Sequence, residues 1–149
     1  MPEGEILLLA APPESWVALV NDGVDAHNMA DTGIADHYPV HLFITGGDQM
    51  CLGGLLGSIW GGWLHVTSLW VAEAFRGKGY GTRLLSTAEQ YALSKGCFGS
   101  TLDTHNAEAK RLYQKLGYEV FGTIDDFPPG RAQYFLKKNL VPLMQGELS

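Results

Sequence analysis

The chain has 149 residues, 46% hydrophobic and 11% aromatic, which is typical of a folded globular protein rather than a disordered chain. The formal net charge of −6 is unevenly divided: residues 1–75 contain nine acidic side chains and no Lys or Arg, whereas residues 76–149 contain ten basic and seven acidic ones. The overall acidity argues against nucleic acid as a partner, and the lack of an apolar run of about 18 residues argues against a membrane span.

The N-terminal segment lacks the features of a secretory signal. Its apolar run, residues 6–11, is short and follows Glu3 and Glu5 instead of basic residues. No repeat or linker-like composition divides the chain. We therefore predict a soluble, cytoplasmic protein with a single domain over residues 1–149.

The first half of the chain is predicted to contain helices near its start and several strands. A strand is predicted at residues 5–10, and a helix begins at Pro13 or Glu14 and runs through Val24. Residues 21–37, interrupted by Gly23 and Gly33, are interpreted as a helix, a loop and a short second helix. Three strands are predicted next, at residues 40–45, 50–60 and 63–72.

The second half alternates helices and strands. Apolar side chains recur at helical spacing after residue 81, and Arg83, Glu89 and Gln90 are assigned to the exposed surface of that helix. Asn106 is predicted to cap another helix that runs to Leu116. The remaining strands are predicted at residues 97–104, 118–124 and 133–138. Strand, helix and strand in succession indicate a parallel crossover, so the predicted fold class is α/β.

A glycine-rich turn follows the strand at residues 63–72. It contains Arg76, Gly77, Lys78, Gly79 and Gly81 within six positions. Glycine loses more backbone entropy on folding than other residues, so such a turn is typical of backbone that approaches a ligand closely. The free amides at the start of the next helix are suited to binding an anion. The turn therefore predicts a site for a phosphate-bearing ligand.

Two common phosphate-binding motifs do not match this turn. The P-loop requires Ser or Thr after its lysine, but Lys78 is followed by Gly79, and the dinucleotide motif requires a glycine where the chain has Thr82. The remaining pattern is Arg-x-x-Gly-x-Gly at Arg76, Gly79 and Gly81, after a strand and before an amphipathic helix. In that setting it resembles the acyl-CoA-binding motif of the GCN5-related N-acetyltransferase (GNAT) family.

The resemblance extends over residues 40–138, while the segment before it agrees only in its strand–helix order. Asn106, Ala109 and Tyr113, followed by Leu116-Gly117-Tyr118, are similar to a helix and a Leu-Gly-Tyr sequence found in that family. The resemblance implies a mixed, splayed sheet flanked by helices, with a CoA-binding core at about residues 64–118. It also implies acetyl-CoA as the cosubstrate.

The resemblance further implies roles for individual residues. Backbone amides of the turn would bind the CoA pyrophosphate, and the edge of the preceding strand, together with Asn106, would hold the pantetheine arm. Tyr113 would be the acid that protonates the departing CoA thiolate, with a packing role in the core as the alternative. The residues expected to bind acetyl-CoA are Leu69, Val71, Arg76, Gly77, Lys78, Gly79, Tyr80, Gly81, Thr82 and Asn106.

The general base is less well defined. Family members that acetylate protein lysines have a glutamate on the strand before the motif, and the position 11 residues before Arg76 is His65. Strand alternation predicts that His65 shares a face with Thr67, Leu69 and Val71. An imidazole could accept the proton of the amine directly or through water, or could have only a structural role. Glu73 and Asp103 are weaker candidates.

The acceptor site is suggested only by composition. Trp60, Trp63 and the loop at residues 125–130 could line a pocket or could simply pack, and aromatic and acidic side chains would suit a cationic amine. The histidines outside position 65 show no metal-ligand spacing, so no metal is predicted. They are His27, His37, His41 and His105.

The sequence therefore predicts an acetyl-CoA-dependent N-acetyltransferase in which a primary amine attacks the thioester directly in a ternary complex. The alternative is a non-catalytic acyl-CoA-binding sensor or regulatory subunit. The identity of the amine and the acyl-chain preference stay open. Dimers are common in the family, but the sequence leaves the oligomeric state open as well.

Overall fold

The computed structural model describes residues 3–141, which divide into an N-terminal unit ending at Ala35 and a larger unit beginning at Asp36. The N-terminal unit contains the helix α1 (Glu14–Thr32). None of the helices in the described part of the chain has the length and hydropathy needed to span a membrane.

Helix α1 is continuous over its 19 residues. Pro13 precedes it, and Gly33 ends it in a left-handed conformation with φ of 74°, donating its N–H to the carbonyl oxygen of Met29. The predicted break and second short helix within residues 21–37 were wrong, because one interior glycine, Gly23, costs only about 1 kcal/mol in a helix. The strand predicted at residues 5–10 was also wrong. Within residues 3–35 there is no second extended segment to complete its hydrogen bonds.

The larger unit is built on a mixed six-stranded sheet, counted over the described residues 36–141. Its strands are β1 (His37–Thr45), β2 (Cys51–Trp60), β3 (Trp63–Val71), β4 (Gly99–Thr104), β5 (Glu119–Asp125) and β6 (Ala132–Asn139). Helix α2 (Tyr80–Ser94) follows β3, and helix α3 (Ala107–Lys115) follows β4. The strand order is β1-β2-β3-β4-β6-β5, with β3 and β4 parallel and the other neighbours antiparallel. The predicted α/β fold class is confirmed.

The two parallel strands diverge soon after they meet. The pairs that join them are Trp63–Gly99, Leu64–Ser100 and His65–Thr101. Beyond these pairs, β3 is hydrogen-bonded only to β2 and β4 only to β6 among the described strands. The edge of β3 at residues 66–71 therefore faces the opening of a splayed sheet, as the resemblance implied.

A β-bulge lies in the middle of β3. The register with β2 passes from Leu56–Ser68 to Gly57–Val66, which leaves Thr67 as an extra residue. The Thr67 hydroxyl donates to the carbonyl oxygen of Leu56 over 3.0 Å. The bulge lies where β3 leaves β4, so it accompanies the opening of the sheet.

The bulge also changes which side chains of β3 share a face. Leu64 is buried before it, Leu69 and Val71 pack against the same core after it, and His65 is exposed. The prediction that His65 shares a face with Leu69 and Val71 was therefore wrong. The extra residue, Thr67, reverses the alternation of side chains along the strand.

The core lies between the sheet and the two helices of the larger unit. Leu84, Leu85, Ala88 and Ala92 of α2 are buried against strand residues such as Leu55, Leu64 and Leu136, each 0% exposed. Helix α3 packs against β4, β5 and β6 and contacts the same core through Tyr113 and Leu116.

Glu89 of α2 does not lie on the surface. Its exposed fraction is 8%, so the prediction of a surface position was wrong. Tyr118 and Lys138 both donate hydrogen bonds to its carboxylate, which makes burial of the charge possible. Glu89 follows Leu85 by four residues and precedes Ala92 by three, so helical spacing alone places it on the buried face.

Candidate active site

The turn between β3 and α2 presents a run of unpaired backbone amides. Gly77 and Gly79 have φ of 75° and 83°, in the left-handed region, and Gly79 is the N-cap of α2. Within residues 3–141, no hydrogen-bond acceptor is found for any amide from Gly77 to Thr82, and the first bond of the helix joins Arg83 N to Gly79 O over 3.0 Å. Consecutive free amides at a helix start form a site for an anion.

The cations of the turn lie against neighbouring groups. Arg76 Nε donates to the carbonyl oxygen of Val71 over 2.8 Å, so this guanidinium ties the turn to the end of β3. Lys78 Nζ lies 5.4 Å from the centroid of the Phe75 ring. These contacts keep positive charge beside the amides and are compatible with the charge-supplying role predicted for both residues.

A cleft of about 420 Å³ extends from the turn to α3. Its lining residues are Val71, Phe75, Arg76, Gly77, Gly79, Tyr80, Gly81, Thr82 and Leu112. The structure thus brings seven of the ten predicted acetyl-CoA-binding residues into one cleft with α3. Leu69, Lys78 and Asn106 do not line it.

Asn106 caps helix α3 as predicted. Its Oδ1 accepts hydrogen bonds from the amides of Glu108 (2.8 Å) and Ala109 (3.0 Å), and its own amide donates to Thr104 Oγ1 (3.0 Å). No hydrogen bond of its side-chain Nδ2 is found within the described part of the chain. The cap therefore occupies one end of the side-chain amide, and the other end can donate to a ligand.

These two uses of Asn106 can be separated by substitution. Replacement by Ala should lower the free energy of unfolding by about 1 kcal/mol, because two helix amides lose their acceptor. Asn106→Asp keeps an oxygen for the cap but removes the donor, so we expect stability close to that of wild type and weaker acetyl-CoA binding. Chemical denaturation and calorimetric titration measure the two effects. Unchanged affinity in the Asp variant would show that Asn106 is only a cap.

Tyr113 lies in the second half of α3. It is half-buried against the core, and its ring centroid lies 6.1 Å from that of Tyr118. Burial, and to a lesser extent the negative charge of Asp103, raise the pKa of Tyr113 above its ordinary value. The phenol therefore stays protonated at neutral pH, as a proton donor must.

His65 lies on the other face of the sheet from Leu64, in a row of polar side chains. The register places Ser58 of β2 and Thr101 of β4 directly beside it, and residues paired across strands share a face. A second cleft of about 340 Å³ is lined by Ser58, Trp60, Trp63, His65 and Thr101. The two tryptophans suggested by the sequence thus come together with the candidate base.

Gly99 gives this second cleft its shape. A Cβ atom at Gly99 would lie only 2.6 Å from the ring of Trp63, so the indole can lie over β4 only because position 99 has no side chain. Trp63 also makes an edge-to-face contact with Phe98, with ring centroids 5.8 Å apart. The indole is therefore held in place by packing.

The other sequence candidates lie apart from the lining of these clefts. Asp103 accepts a hydrogen bond from Gln133 Nε2 over 2.8 Å, and Glu73 belongs to a short 3-10 turn after β3. In the loop at residues 125–130, Phe127 contacts His105, whose Nδ1 lies 2.9 Å from the Phe127 carbonyl oxygen. The loop contributes no residue to either cleft.

An open mixed sheet, divided between two parallel strands and with an amide-lined turn at the division, defines an acyltransferase type of fold. The model of the acetyltransferase (GNAT) family matches residues 9–118. The chain belongs to the GNAT acetyltransferase family. This confirms the family indicated by the Arg-x-x-Gly-x-Gly motif.

Relatives with known names support the same assignment. The chain is 35% identical over 119 residues to acetyltransferase Atu2258 of Agrobacterium fabrum, covering 80% of this chain and 87% of the relative. It is 37% identical over 113 residues to blasticidin-S acetyltransferase of Streptomyces morookaense, covering 73% and 83%. An acetyltransferase structure from Bacillus cereus superposes with a TM-score of 0.75 at 30% identity, covering 90% of this chain and 98% of that one.

Proposed function

We propose that this protein is an acetyl-CoA-dependent N-acetyltransferase that transfers an acetyl group to a primary amine by direct attack in a ternary complex. The observation that carries the proposal is the run of free amides from Gly77 to Thr82, which opens into the same cleft as helix α3. Family membership supports acetyl transfer, and this cleft supports a donor that carries a pyrophosphate.

The donor would be bound mainly by backbone. The turn amides would receive the pyrophosphate, with the charges of Arg76 and Lys78 beside it. The open edge of β3 at residues 66–71 would pair with the amides of the pantetheine arm, as a peptide adds to a sheet edge. Leu69 and Val71 lie on this edge, so their backbone groups would hold the arm and polarise the thioester carbonyl.

The chemical step requires one group to accept a proton and another to donate one. The amine nitrogen attacks the thioester carbon, a C–N bond forms, and the C–S bond breaks. Tyr113 would give its proton to the departing sulfur, and His65 would take the proton of the amine, directly or through water. The raised pKa of Tyr113 favours the neutral form that can donate.

The acceptor would occupy the cleft that contains His65. Two indole rings and neighbouring hydroxyls suit a cationic or planar amine, and the acidic first half of the chain would attract a cation. The 37% identity to a protein named blasticidin-S acetyltransferase supports a small-molecule acceptor.

Turnover of an amine panel with acetyl-CoA tests the proposal. Mass spectrometry should detect an acetylated amine together with free CoA, and the same panel with CoA in place of acetyl-CoA is the control. A protein that binds CoA but turns over no amine would instead be the sensor, which needs neither an acid nor a base.

Substitution of His65 tests the base. His65→Ala should lower kcat roughly tenfold near neutral pH, and the loss should shrink at alkaline pH, where the amine is already deprotonated. His41→Ala is a matched control, because His41 is also an exposed strand histidine but does not line the cleft. A pH profile that is unchanged in the His65 variant would remove this residue as the base.

A further inference from the structure

A largely buried polar cluster joins α2, β4, β6 and the segment between α3 and β5 in the larger unit. It consists of Glu89 on α2, Ser100 on β4, Tyr118 just after α3 and Lys138 on β6, and is called here the Glu89 cluster. Ser100 Oγ lies 2.8 Å from Tyr118 Oη, Tyr118 Oη donates to Glu89 Oε2 over 2.9 Å, and Lys138 Nζ donates to Glu89 Oε1 over 2.8 Å. The exposed fractions of Ser100 and Tyr118 are 0% and 3%.

The direction of each hydrogen bond in the cluster follows from the number of protons that its hydroxyl groups carry. The single phenol proton of Tyr118 goes to the Glu89 carboxylate, so the Ser100 hydroxyl must donate to the phenol oxygen. Burial is the main reason that the pKa of Tyr118 lies far above its usual range. The negative charge of the adjacent Glu89 carboxylate raises this pKa further. The phenol therefore keeps its proton, and each member has a partner.

Stability alone does not explain such a cluster. A buried ion pair is often no more stable than apolar side chains of the same volume, because removing the charges from water is costly. What a fully bonded cluster does provide is one fixed arrangement of the elements that carry it. The Glu89 cluster therefore fixes the segments that carry its four members relative to one another.

The Glu89 cluster connects the two helices that border the 420 Å³ cleft at the glycine turn, called here the donor cleft. Glu89 lies on α2, whose first turn presents the free amides, and Tyr118 follows α3, which carries Tyr113. The Tyr118 amide donates to the Tyr113 carbonyl oxygen over 3.0 Å. A small cavity of about 190 Å³ lies at this seam, and Thr82 lines both it and the donor cleft.

We propose that the Glu89 cluster positions Tyr113 relative to the amides of the glycine turn, so that its hydroxyl meets the sulfur of the bound donor. Tyr118 and Glu89 are positioning residues, since they act through Tyr113 and α2 and not on the substrate. This inference rests on the proposed function, because it takes Tyr113 as the acid.

Tyr118→Phe is the direct test. It keeps the ring and the packing but removes the hydroxyl that joins Ser100 to Glu89. We expect kcat to fall roughly tenfold while KM for acetyl-CoA changes by no more than about twofold, because a misplaced acid slows the chemical step without loosening the donor. In a Tyr113→Phe background, the same substitution should have little further effect on kcat.

Two further variants accompany Tyr118→Phe, one as a control and one as a milder disruption of the cluster. Tyr91→Phe removes the hydroxyl of a tyrosine on α2 that is 39% exposed and outside the cluster, and kcat should stay at the wild-type value. Ser100→Ala breaks only the first link, and we expect a smaller fall in kcat in the same direction. If Tyr118→Phe does not fold, as judged by circular dichroism, the Ser100 variant carries the test.

Two outcomes would overturn the inference. Multiplicative losses in the Tyr113/Tyr118 double variant would mean that the cluster acts independently of the acid. A weaker affinity for acetyl-CoA with kcat unchanged would mean that it shapes the donor site instead.

Failure of the proposed function is separable from failure of this inference. If wild type turns over no amine, the proposed function fails, and NMR with ring-labelled tyrosine still reports on the position of Tyr113. Its ring signal should move in Tyr118→Phe and not in Tyr91→Phe. A Tyr113 signal that is the same in both variants would overturn the inference without any measurement of activity.

Discussion

Tyr113→Phe should lower kcat by a factor on the order of 10² to 10³ while leaving the affinity for acetyl-CoA nearly unchanged. The phenol hydroxyl is the group proposed to protonate the departing thiolate, and Phe keeps the half-buried ring that packs against the core. Steady-state kinetics and calorimetric titration separate the two quantities. Tyr91→Phe serves again as the matched control.

The pH dependence gives this prediction its sign. Burial and the nearby Asp103 charge raise the pKa of Tyr113, so its neutral, proton-donating form persists to a higher pH than that of a free tyrosine. The alkaline decline of the wild-type rate should therefore begin at a higher pH than a free tyrosine would give, and this decline should be absent in Tyr113→Phe. A variant rate equal to that of wild type at every pH would leave Tyr113 with only its packing role.

Gly79→Ala should weaken acetyl-CoA binding roughly a hundredfold. Gly79 has φ of 83°, where an L side chain is strained, so Ala should shift the turn and misalign its amides. Loss of one or two hydrogen bonds from backbone amides to a charged phosphate amounts to about 3 kcal/mol, or roughly a hundredfold in Kd. Calorimetric titration with acetyl-CoA measures the change.

The other end of the same helix provides the control. Gly96 follows α2 with φ of 85°, and a Cβ atom at either glycine would meet nothing within 4 Å. Ala at either position should lower the free energy of unfolding by a similar amount, about 1 kcal/mol, because the backbone strain is the same. Only Gly79→Ala should weaken the binding of acetyl-CoA. Equal affinities in the two variants would argue against the turn as the pyrophosphate site.

Most elements of the larger unit were predictable from local patterns. The strands and helices after residue 36 occur where apolar periodicity placed them, and Asn106 caps α3 as its position before Ala107 suggested. Pro39 did not prevent β1 from beginning at His37, before the predicted start, because β1 is the edge strand of the sheet and pairs only with β2 among the described strands. The N-terminal unit was harder, because Gly23 looks like a breaker in sequence but lies inside one helix.

The glycine turn, the cap of α3 and the family could all be predicted from the sequence, because each depends on residues within a few positions of one another. The three-dimensional fold was needed to show that the turn amides and α3 share a cleft, that the bulge at Thr67 moves His65 to the other face, and that Glu89 bonds to Tyr118 and Lys138. Tyr118 and Lys138, the partners of Glu89, lie 29 and 49 positions away, and strand register likewise depends on distant pairing. Local periodicity contains no information about such contacts, and they join α2, whose first turn presents the free amides, to Tyr118, whose amide bonds to the Tyr113 carbonyl oxygen.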